Sequence, residues 1–581
     1  MSSEEYSVSL LRRRIFAITL AVLFLFITVL GRLFYVQVVS GKSLREKAID
    51  QWTREIPLTA KRGLITDVNG VVLAENDDTY TVFVRKKAVK DIERLSEILS
   101  ECLDADKGKI YERLTKTTSS EVTINKHIDK EKIDKLLIYS DFISGVYYSR
   151  DNTRVYPYGE FLSQVLGFTS TDGKGQSGLE LYYDDLLKGK DGEILYETDI
   201  VGIEIEGSSA SYIPAVDGLN VKLTIDYGVQ QVAEAAVKEA YTVTGAKSVK
   251  CVVMDPSSGA IRAMAIAPSF DPNNVPRDDT ESLLKLSRNT IVSDVYEPGS
   301  TFKIFTATAD IAEFYNGNPK AFSTSKIFNS SRYRYIDGTR VKCWSDHKNG
   351  KHAALNLEGA LKNSCNPIFV DIACSLGKKT MYKYISMFGF GETTGIDFTG
   401  EAHGMLMPES AVKNVDIARI GFGQSVAVTP IQLAAAVSSA VNGGYYYKPY
   451  FLSEVYSSDG KTVEIKNPTI VRKTVDKKVS ATISCMLESV AKDGGAKNAY
   501  IEGYKIAGKT GTAQKFENGK IASGKYVSSF IGFFPSDAPK YLVLFIVDEP
   551  YGQYYGSTVA APYAKEIFNG IINLKNVKPY E

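Results

Sequence analysis

Ser300 and Lys303 stand three residues apart, directly after the turn-forming pair Pro298-Gly299. Thr301 to Phe314 then runs without Pro or Gly, which predicts a helix with Ser300 at its N-terminus. The i, i+3 spacing places both side chains on one face, so the amine can reach the hydroxyl. A serine hydroxyl is a weak nucleophile and needs a base beside it. The helix N-terminus offers unpaired N–H groups and about half a positive charge, which suit the oxyanion formed when a carbonyl is attacked. That field, with a second cation nearby, would push Lys303 towards its neutral, proton-accepting form. A Ser-x-x-Lys pair alone recurs by chance, so the chemistry needs partners from elsewhere in the chain.

Two later stretches can supply them. Ser364-Cys365-Asn366 follows an apolar helical segment and precedes Pro367, so a hydroxyl and an amide sit two residues apart in a loop. Lys509-Thr510-Gly511-Thr512 opens an expected strand. There Lys509 brings a cation, Gly511 lets a substrate backbone approach closely, and Thr510 and Thr512 bring donors.

The elements that must position these groups can be read from periodicity. Val249 to Asp255 and Ala260 to Ala265 flank Pro256-Ser257-Ser258-Gly259 and predict a hairpin. Gly503 to Gln514 and Val527 to Pro535 predict neighbouring strands joined by a loop containing Asn518-Gly519, and Lys540 to Val547 predicts a third. Tyr227 to Ala240 and Ala561 to Ile572 predict helices. Thr429-Pro430 starts another, stopped by Asn442-Gly443-Gly444. Strands grouped with helices around them indicate an α+β fold, a central antiparallel sheet flanked by helices.

Upstream, Asn69-Gly70 between two apolar runs is a hairpin signal. Asp91 to Cys102 and Asp129 to Ile138 read as helices, and Gly145 to Arg150 as a strand. This region, 39–215, reads as a mixed α+β spacer or docking domain without chemistry of its own. Residues 216–581 form the catalytic domain. Residues 1–14 are a polar tail ending in Arg12-Arg13-Arg14, and the apolar stretch from Ile15, extended past Arg32 to about residue 38, is long enough for one transmembrane helix. The basic flank places the N-terminus in the cytoplasm and the catalytic domain outside the cell membrane. A signal peptide is the competing reading, although no small-x-small cleavage site follows the apolar core.

At 581 residues the chain holds more than one domain, and its apolar content of 44% is enough for real cores. The net charge of +1 implies no general affinity for nucleic acid. His127, His347, His352 and His403 show no metal-ligand spacing, so no metal is expected. The six cysteines are scattered, with no Cys-x-x-Cys.

Together, Ser300-x-x-Lys303, Ser364-x-Asn366 and Lys509-Thr510-Gly511 form the motif set of β-lactamases and penicillin-binding proteins. The chain resembles class B penicillin-binding proteins along nearly its whole length. The resemblance also rests on Arg62-Gly63-Leu64-Ile65, Thr394-Gly395-Ile396-Asp397, Gly421-Phe422-Gly423-Gln424-Ser425 and Gly532-Phe533-Phe534-Pro535. It implies a serine-type peptidoglycan D,D-transpeptidase that cross-links stem peptides ending in D-Ala-D-Ala, in division or spore formation, and is acylated by β-lactams. By the same resemblance Ser300 is the nucleophile and Lys303 its base. Ser364 and Lys509 look like a proton relay, and Asn366 like a contact to the substrate amide. Thr510 and Thr512 look like binders of the terminal carboxylate, and the N–H groups of Ser300 and Thr512 like the oxyanion hole. For residues 39–215 the resemblance implies an elongated pedestal or dimerisation-type domain. No cofactor is implied. A multi-span glycan polymerase is the implied partner, since no polymerising domain precedes the pedestal.

A D,D-carboxypeptidase, a β-lactamase and a β-lactam sensor share the motif set, and a non-enzymatic wall scaffold is the further alternative. Cys365 stands inside the second motif with Cys343 shortly before it. A disulfide between them would deform the loop carrying Ser364 and Asn366, so Cys343 and Cys365 form a candidate redox pair. Two free thiols, one packed in the core, are the alternative.

Overall fold

The structure is a computed structural model and describes residues 4–44, 53–140, 143–197, 211–347, 352, 354–517 and 520–580. Chain contacts divide it into two units. One comprises Met1–Ala60, Asp78–Asn152 and Lys190–Val216; the other comprises Lys61–Asp77, Thr153–Gly189 and Asp217–Glu581.

In the larger unit, helix α1 (Tyr227–Thr244) starts on Asp226, whose carboxylate accepts from the Val229 N–H, and stops at Gly245 in the left-handed region. Strands β1 (Ser248–Met254) and β2 (Ile261–Ala267) make the expected antiparallel hairpin. The 3₁₀ turn Gly299–Phe302 leads into α2 (Lys303–Tyr315), and α3 (Asn366–Met387), broken by a kink at Gly377 with φ +77°, follows the second motif. Helix α4 (Pro430–Val441) begins with a reciprocal cap. The Thr429 hydroxyl accepts from Gln432 N, and the Gln432 side chain accepts from Thr429 N. Every residue of α4 is buried, which fits its small and apolar composition on all sides.

Helix α5 (Lys477–Asp493), strands β3 (Ala507–Glu517), β4 (Lys520–Phe534) and β5 (Tyr541–Asp548), and helix α6 (Ala561–Leu574) complete the unit. The strands form one antiparallel sheet in the order β2-β1-β5-β4-β3. In β5, Leu542 to Val547 are buried without alternation, because both faces of the sheet are covered. Helices α1 and α6 pack on each other and on the sheet, and α4 and α5 also lie against it.

Strand β3 starts at Ala507, not Gly503: Gly503 and Lys505 adopt positive φ, +82° and +49°, and hold that stretch in turns. Strand β4 begins seven residues before Val527, so the hairpin is longer than its apolar part suggests. The expected turn at Asn518-Gly519 lies outside the described residues.

The segments Lys61–Asp77 and Thr153–Gly189 belong to this unit and are joined to each other by a buried ionic cluster. Glu180, fully buried, accepts from Arg62 Nε at 2.6 Å through one oxygen and from Arg154 Nε at 2.6 Å through the other. Arg62 also pairs with Asp184 at 2.7 Å. The Asn69-Gly70 turn, with Gly70 at φ +90°, joins strand Ile65–Thr66 to the antiparallel strand starting at Val72.

The smaller unit has its own core. Helix Ile92–Leu103 presents Leu95, Ile98, Leu99, Cys102 and Leu103 at helical spacing, and these pack with Ile110, Leu114, Ile133 and Leu136 of helices Lys107–Lys116 and Lys130–Ile138. Val82 and Val84, Val122 and Ile124 close that core from the paired strands. Asp91 and Asp106 cap two of the helices, accepting from Arg94 N and Lys109 N. The N-terminal helix Glu4–Phe34 exposes Phe16, Ile18, Leu23, Phe24 and Phe26. Val8–Val39 is long and apolar enough to cross a membrane.

Candidate active site

The turn that carries Ser300 is held by close backbone contacts. Gly299 takes φ +55° and donates to Gly423 O at 3.0 Å, and the Thr301 hydroxyl donates to Pro298 O at 2.8 Å. Gly423, at φ +87°, has no room for a side chain, since a Cβ there would stand 2.0 Å from Gly299 O. Behind the turn, Phe302 and Phe305 pack against Phe390, and Phe305 against Phe388. Ser300 is therefore carried on a backbone fixed from two sides.

Lys303, fully buried one turn on, is the hub. Its Nζ lies 3.1 Å from Ser300 Oγ, 3.0 Å from Ser364 Oγ, 2.8 Å from Ser364 O and 2.6 Å from Asn366 Oδ1. The amine can engage three of these four oxygens at once, either as an ammonium with three protons or as a neutral amine with two protons and one lone pair that accepts from a hydroxyl. Burial pushes Lys303 down to about 8, against the thiols of Cys343 and Cys365, which act to raise it. Ser364 Oγ donates to Ser300 Oγ at 2.9 Å, and Lys509 Nζ reaches Ser364 Oγ at 3.1 Å. Lys509 is also fully buried; desolvation and then the charge of Lys303 hold it well below the usual lysine range. Hydroxyls and amines thus form one connected path from Ser300 through Ser364 to Lys509.

The second motif is a strained corner. Ser364 sits at φ +51°, a conformation uncommon for a side-chain-bearing residue, and Asn366 opens α3 with Pro367 in its first turn. Trp344 Nε1 donates to Ser364 O at 3.0 Å and to Asn363 O at 3.1 Å, and Asn366 Nδ2 donates to Lys342 O at 3.3 Å. The Trp344 indole was not singled out as a site residue by sequence reasoning. Its lone position in a polar loop gives no periodic signal.

Strand β3 carries the third motif and is the edge of its sheet. Lys509, Thr510, Gly511 and Thr512 pair with Ile531, Phe530, Ser529 and Ser528 of β4. A Cβ on Gly511 would stand 2.5 Å from Ser529 Oγ and 2.9 Å from Pro298 O, so glycine is what lets β3 meet the nucleophile turn. The Thr512 hydroxyl accepts from Gly556 N at 3.0 Å. The open edge of β3 can accept an extended peptide as a further strand.

Beside the second motif lies a cluster that the reading of the sequence did not single out as a unit. Cys343, His347, His352 and Cys365 bring their donor atoms within 4.8 Å of one another. Both cysteines are buried free thiols, and Cys365 Sγ lies 3.1 Å from Ser330 Oγ. A Cys-x₃-His-x₄-His-x₁₂-Cys spacing was the signal available in the sequence. It unites residues from both sides of helix Leu357–Lys362, a long-range closure that no local pattern reveals.

The geometry is that of an acyl-transfer serine site on a sheet flanked by helices, and comparison with known proteins gives its class. Residues 249–569 match the penicillin binding protein transpeptidase domain, and residues 57–223 match the penicillin-binding protein dimerisation domain. The chain belongs to the penicillin-binding protein transpeptidase family. It is 39% identical to stage V sporulation protein D of Bacillus subtilis, over 98% of this chain and 86% of that protein. It is 27% identical to the peptidoglycan D,D-transpeptidase FtsI of Escherichia coli K12, over 95% of this chain and 90% of that one. A crystal structure of a peptidoglycan synthetase from Bifidobacterium adolescentis superposes with a TM-score of 0.72 at 25% identity, covering 91% of this chain and 98% of that one.

Proposed function

We propose that this chain cross-links peptidoglycan stem peptides by a Ser300 acyl-enzyme, with the three motifs in the roles their geometry supports. Ser300 Oγ attacks the carbonyl of the penultimate D-alanine, and Lys303, in its neutral form, takes the proton. The N–H groups of Ser300 and Thr512 receive the oxyanion. Ser364 and Lys509 pass a proton to the departing D-alanine nitrogen. An amine of a second stem peptide then takes the acyl group, with the same groups acting in reverse. Asn366 orients the substrate amide, and Thr510 and Thr512 hold the terminal carboxylate. β-Lactams enter by the same attack, as analogues of the D-alanyl-D-alanine unit.

The single observation that carries this reading is the hydrogen-bonded path Lys303–Ser300–Ser364–Lys509, whose members come from residues up to 209 apart in sequence. The apolar N-terminal helix, flanked by Arg12-Arg13-Arg14, supports an anchor with the N-terminus in the cytoplasm and the catalytic unit outside. Tethering raises the enzyme's concentration near a lipid-linked substrate. A multi-span polymerase supplying glycan strands is the partner this requires. The relative in Bacillus subtilis favours spore formation as the setting; the one in Escherichia coli keeps division as the second reading.

The test uses the full chain in detergent. A fluorescent penicillin should acylate the peptide containing Ser300, and Ser300→Ala should abolish labelling. With lipid-linked pentapeptide substrate and a glycan polymerase, cross-linked dimers should form as D-alanine is released. Release without dimers would replace the transpeptidase by a carboxypeptidase. Unchanged labelling of Ser300→Ala would overturn the assignment of the nucleophile.

A further inference from the structure

The cluster beside the second motif has the chemistry of a closed metal site. Two thiols and two imidazoles are the donors of structural zinc centres, tetrahedral and with all four positions filled by protein. Zn–S and Zn–N bonds of about 2.3 and 2.0 Å place the donors of such a site roughly 3.3–3.8 Å apart. Here Cys343 Sγ and His352 Nδ1 are 4.0 Å apart, and no pair of donor atoms in the group exceeds 4.8 Å. Side-chain movements of under about an ångström close the gap. The His347 and His352 rings lie 4.5 Å apart between centroids, inclined at 35°. Both ring nitrogens of His347 are buried without a hydrogen-bond partner among the described residues, a costly arrangement for a polar ring unless something binds it. The Ser330 hydroxyl beside Cys365 Sγ can donate to a metal-bound thiolate, as outer-shell partners of such ligands do.

We propose that Cys343, His347, His352 and Cys365 bind one zinc ion, and that this ion fixes the corner that presents Ser364 and Asn366 to Lys303. Cys365 is the residue between those two, so a metal bond to its sulfur anchors both neighbours at once. Binding releases two thiol protons, and the product, Zn²⁺ with two thiolates and two neutral imidazoles, carries no net charge. It therefore leaves the field at Lys303 nearly unchanged, which a bare cation would not. The site also assigns the two cysteines to a metal in place of a disulfide: each sulfur has one role or the other. Its function is positioning, since no ligand position is left for substrate.

This inference rests on the transpeptidase reading only for its effect on acylation; the metal content stands apart from it. The full chain, purified in detergent from zinc-supplied cells without added metal, should carry about one zinc per chain by mass spectrometry. Cys343→Ser and His352→Ala should fall below one tenth of that, while Cys485→Ser, at an exposed free thiol, keeps it. Cobalt substitution of the unaltered chain, which needs no variant to fold, should give the intense visible absorption of a tetrahedral thiolate site. Removing the metal with a chelator should slow acylation by fluorescent penicillin at least about tenfold, and zinc should restore it. A chain that stays metal-free after reduction and zinc reconstitution, a Cys343–Cys365 disulfide persisting under reductant, or full zinc content in Cys343→Ser would overturn the site. Full zinc occupancy with acylation indifferent to its removal would overturn the positioning role. Failure of Ser300 to acylate at all, with zinc bound, would instead count against the transpeptidase reading.

Discussion

The hydroxyl of Ser364 donates to that of Ser300 across 2.9 Å, although 64 positions separate the two in the chain. Ser364 also lies within hydrogen-bond distance of both buried amines. Ser364→Ala removes the middle of this relay and leaves Lys509 Nζ with only the Thr510 carbonyl, 3.2 Å away, among the bonds it makes here. Acylation by a fluorescent penicillin is expected to slow by about 10²–10⁴, the usual worth of a proton-transferring group. Stopped-flow fluorescence measures it, and an unchanged rate would remove Ser364 from the path.

The pH profile of acylation tests Lys303. Its amine must be unprotonated to take the Ser300 proton, and burial sets its value at about 8. The rate should rise about tenfold per pH unit below 8 and level off above it. The same shift acts on stability. The folded value lies below the ordinary lysine value of 10.5, so the folded state binds fewer protons. This group's cost to the fold is therefore full below pH 8 and fades as pH climbs from 8 towards 10.5. A pH-independent rate between 6 and 9 would rule out Lys303 as the base.

Gly511→Ala sets a methyl group against Ser529 Oγ and the Pro298 carbonyl. The carbonyl belongs to the backbone of the nucleophile turn and cannot swing aside. Overpacking of this kind costs about 1–3 kcal/mol, and the strain falls on the contact between β3 and Ser300. Both the unfolding midpoint and the acylation rate should drop. A variant as stable and as fast as the parent would show that β3 and the turn approach less closely.

Glu180→Ala strips Arg62 and Arg154 of their shared carboxylate in a buried setting. Removing one partner of a buried ionic cluster costs roughly 3–5 kcal/mol. Denaturant unfolding should show that loss. The expectation for acylation is different: the folded fraction should react with penicillin at nearly the parent rate, because no hydrogen bond among the described residues joins the cluster to Ser300, Ser364 or Lys509.

The three motifs that converge on Ser300 were legible because each is a short stretch whose residue types are chemically odd together, such as Ser300 with Lys303. Local elements were legible where capping or turn residues punctuate them, as at Asp91, Asn69-Gly70 and Thr429. What escaped was set by distance along the chain. The joining of Arg62 to Glu180 spans 118 positions, and nothing near either residue encodes it. The early start of β4 escaped because Lys520 to Tyr526 pairs with a partner strand without being strongly apolar. The gathering of His347 and His352 with two cysteines escaped for the same reason of range: their types were visible, their convergence was not.

The acceptors around the Lys303 amine come mostly from a corner more than sixty residues downstream, and the last amine arrives on β3. A chain folded only as far as Lys303 holds the serine and the first amine, but neither the acceptors of the second motif nor the amine of Lys509. The full set of contacts around Ser300 is thus assembled only when β3, the last strand in the order of the sheet, is in place.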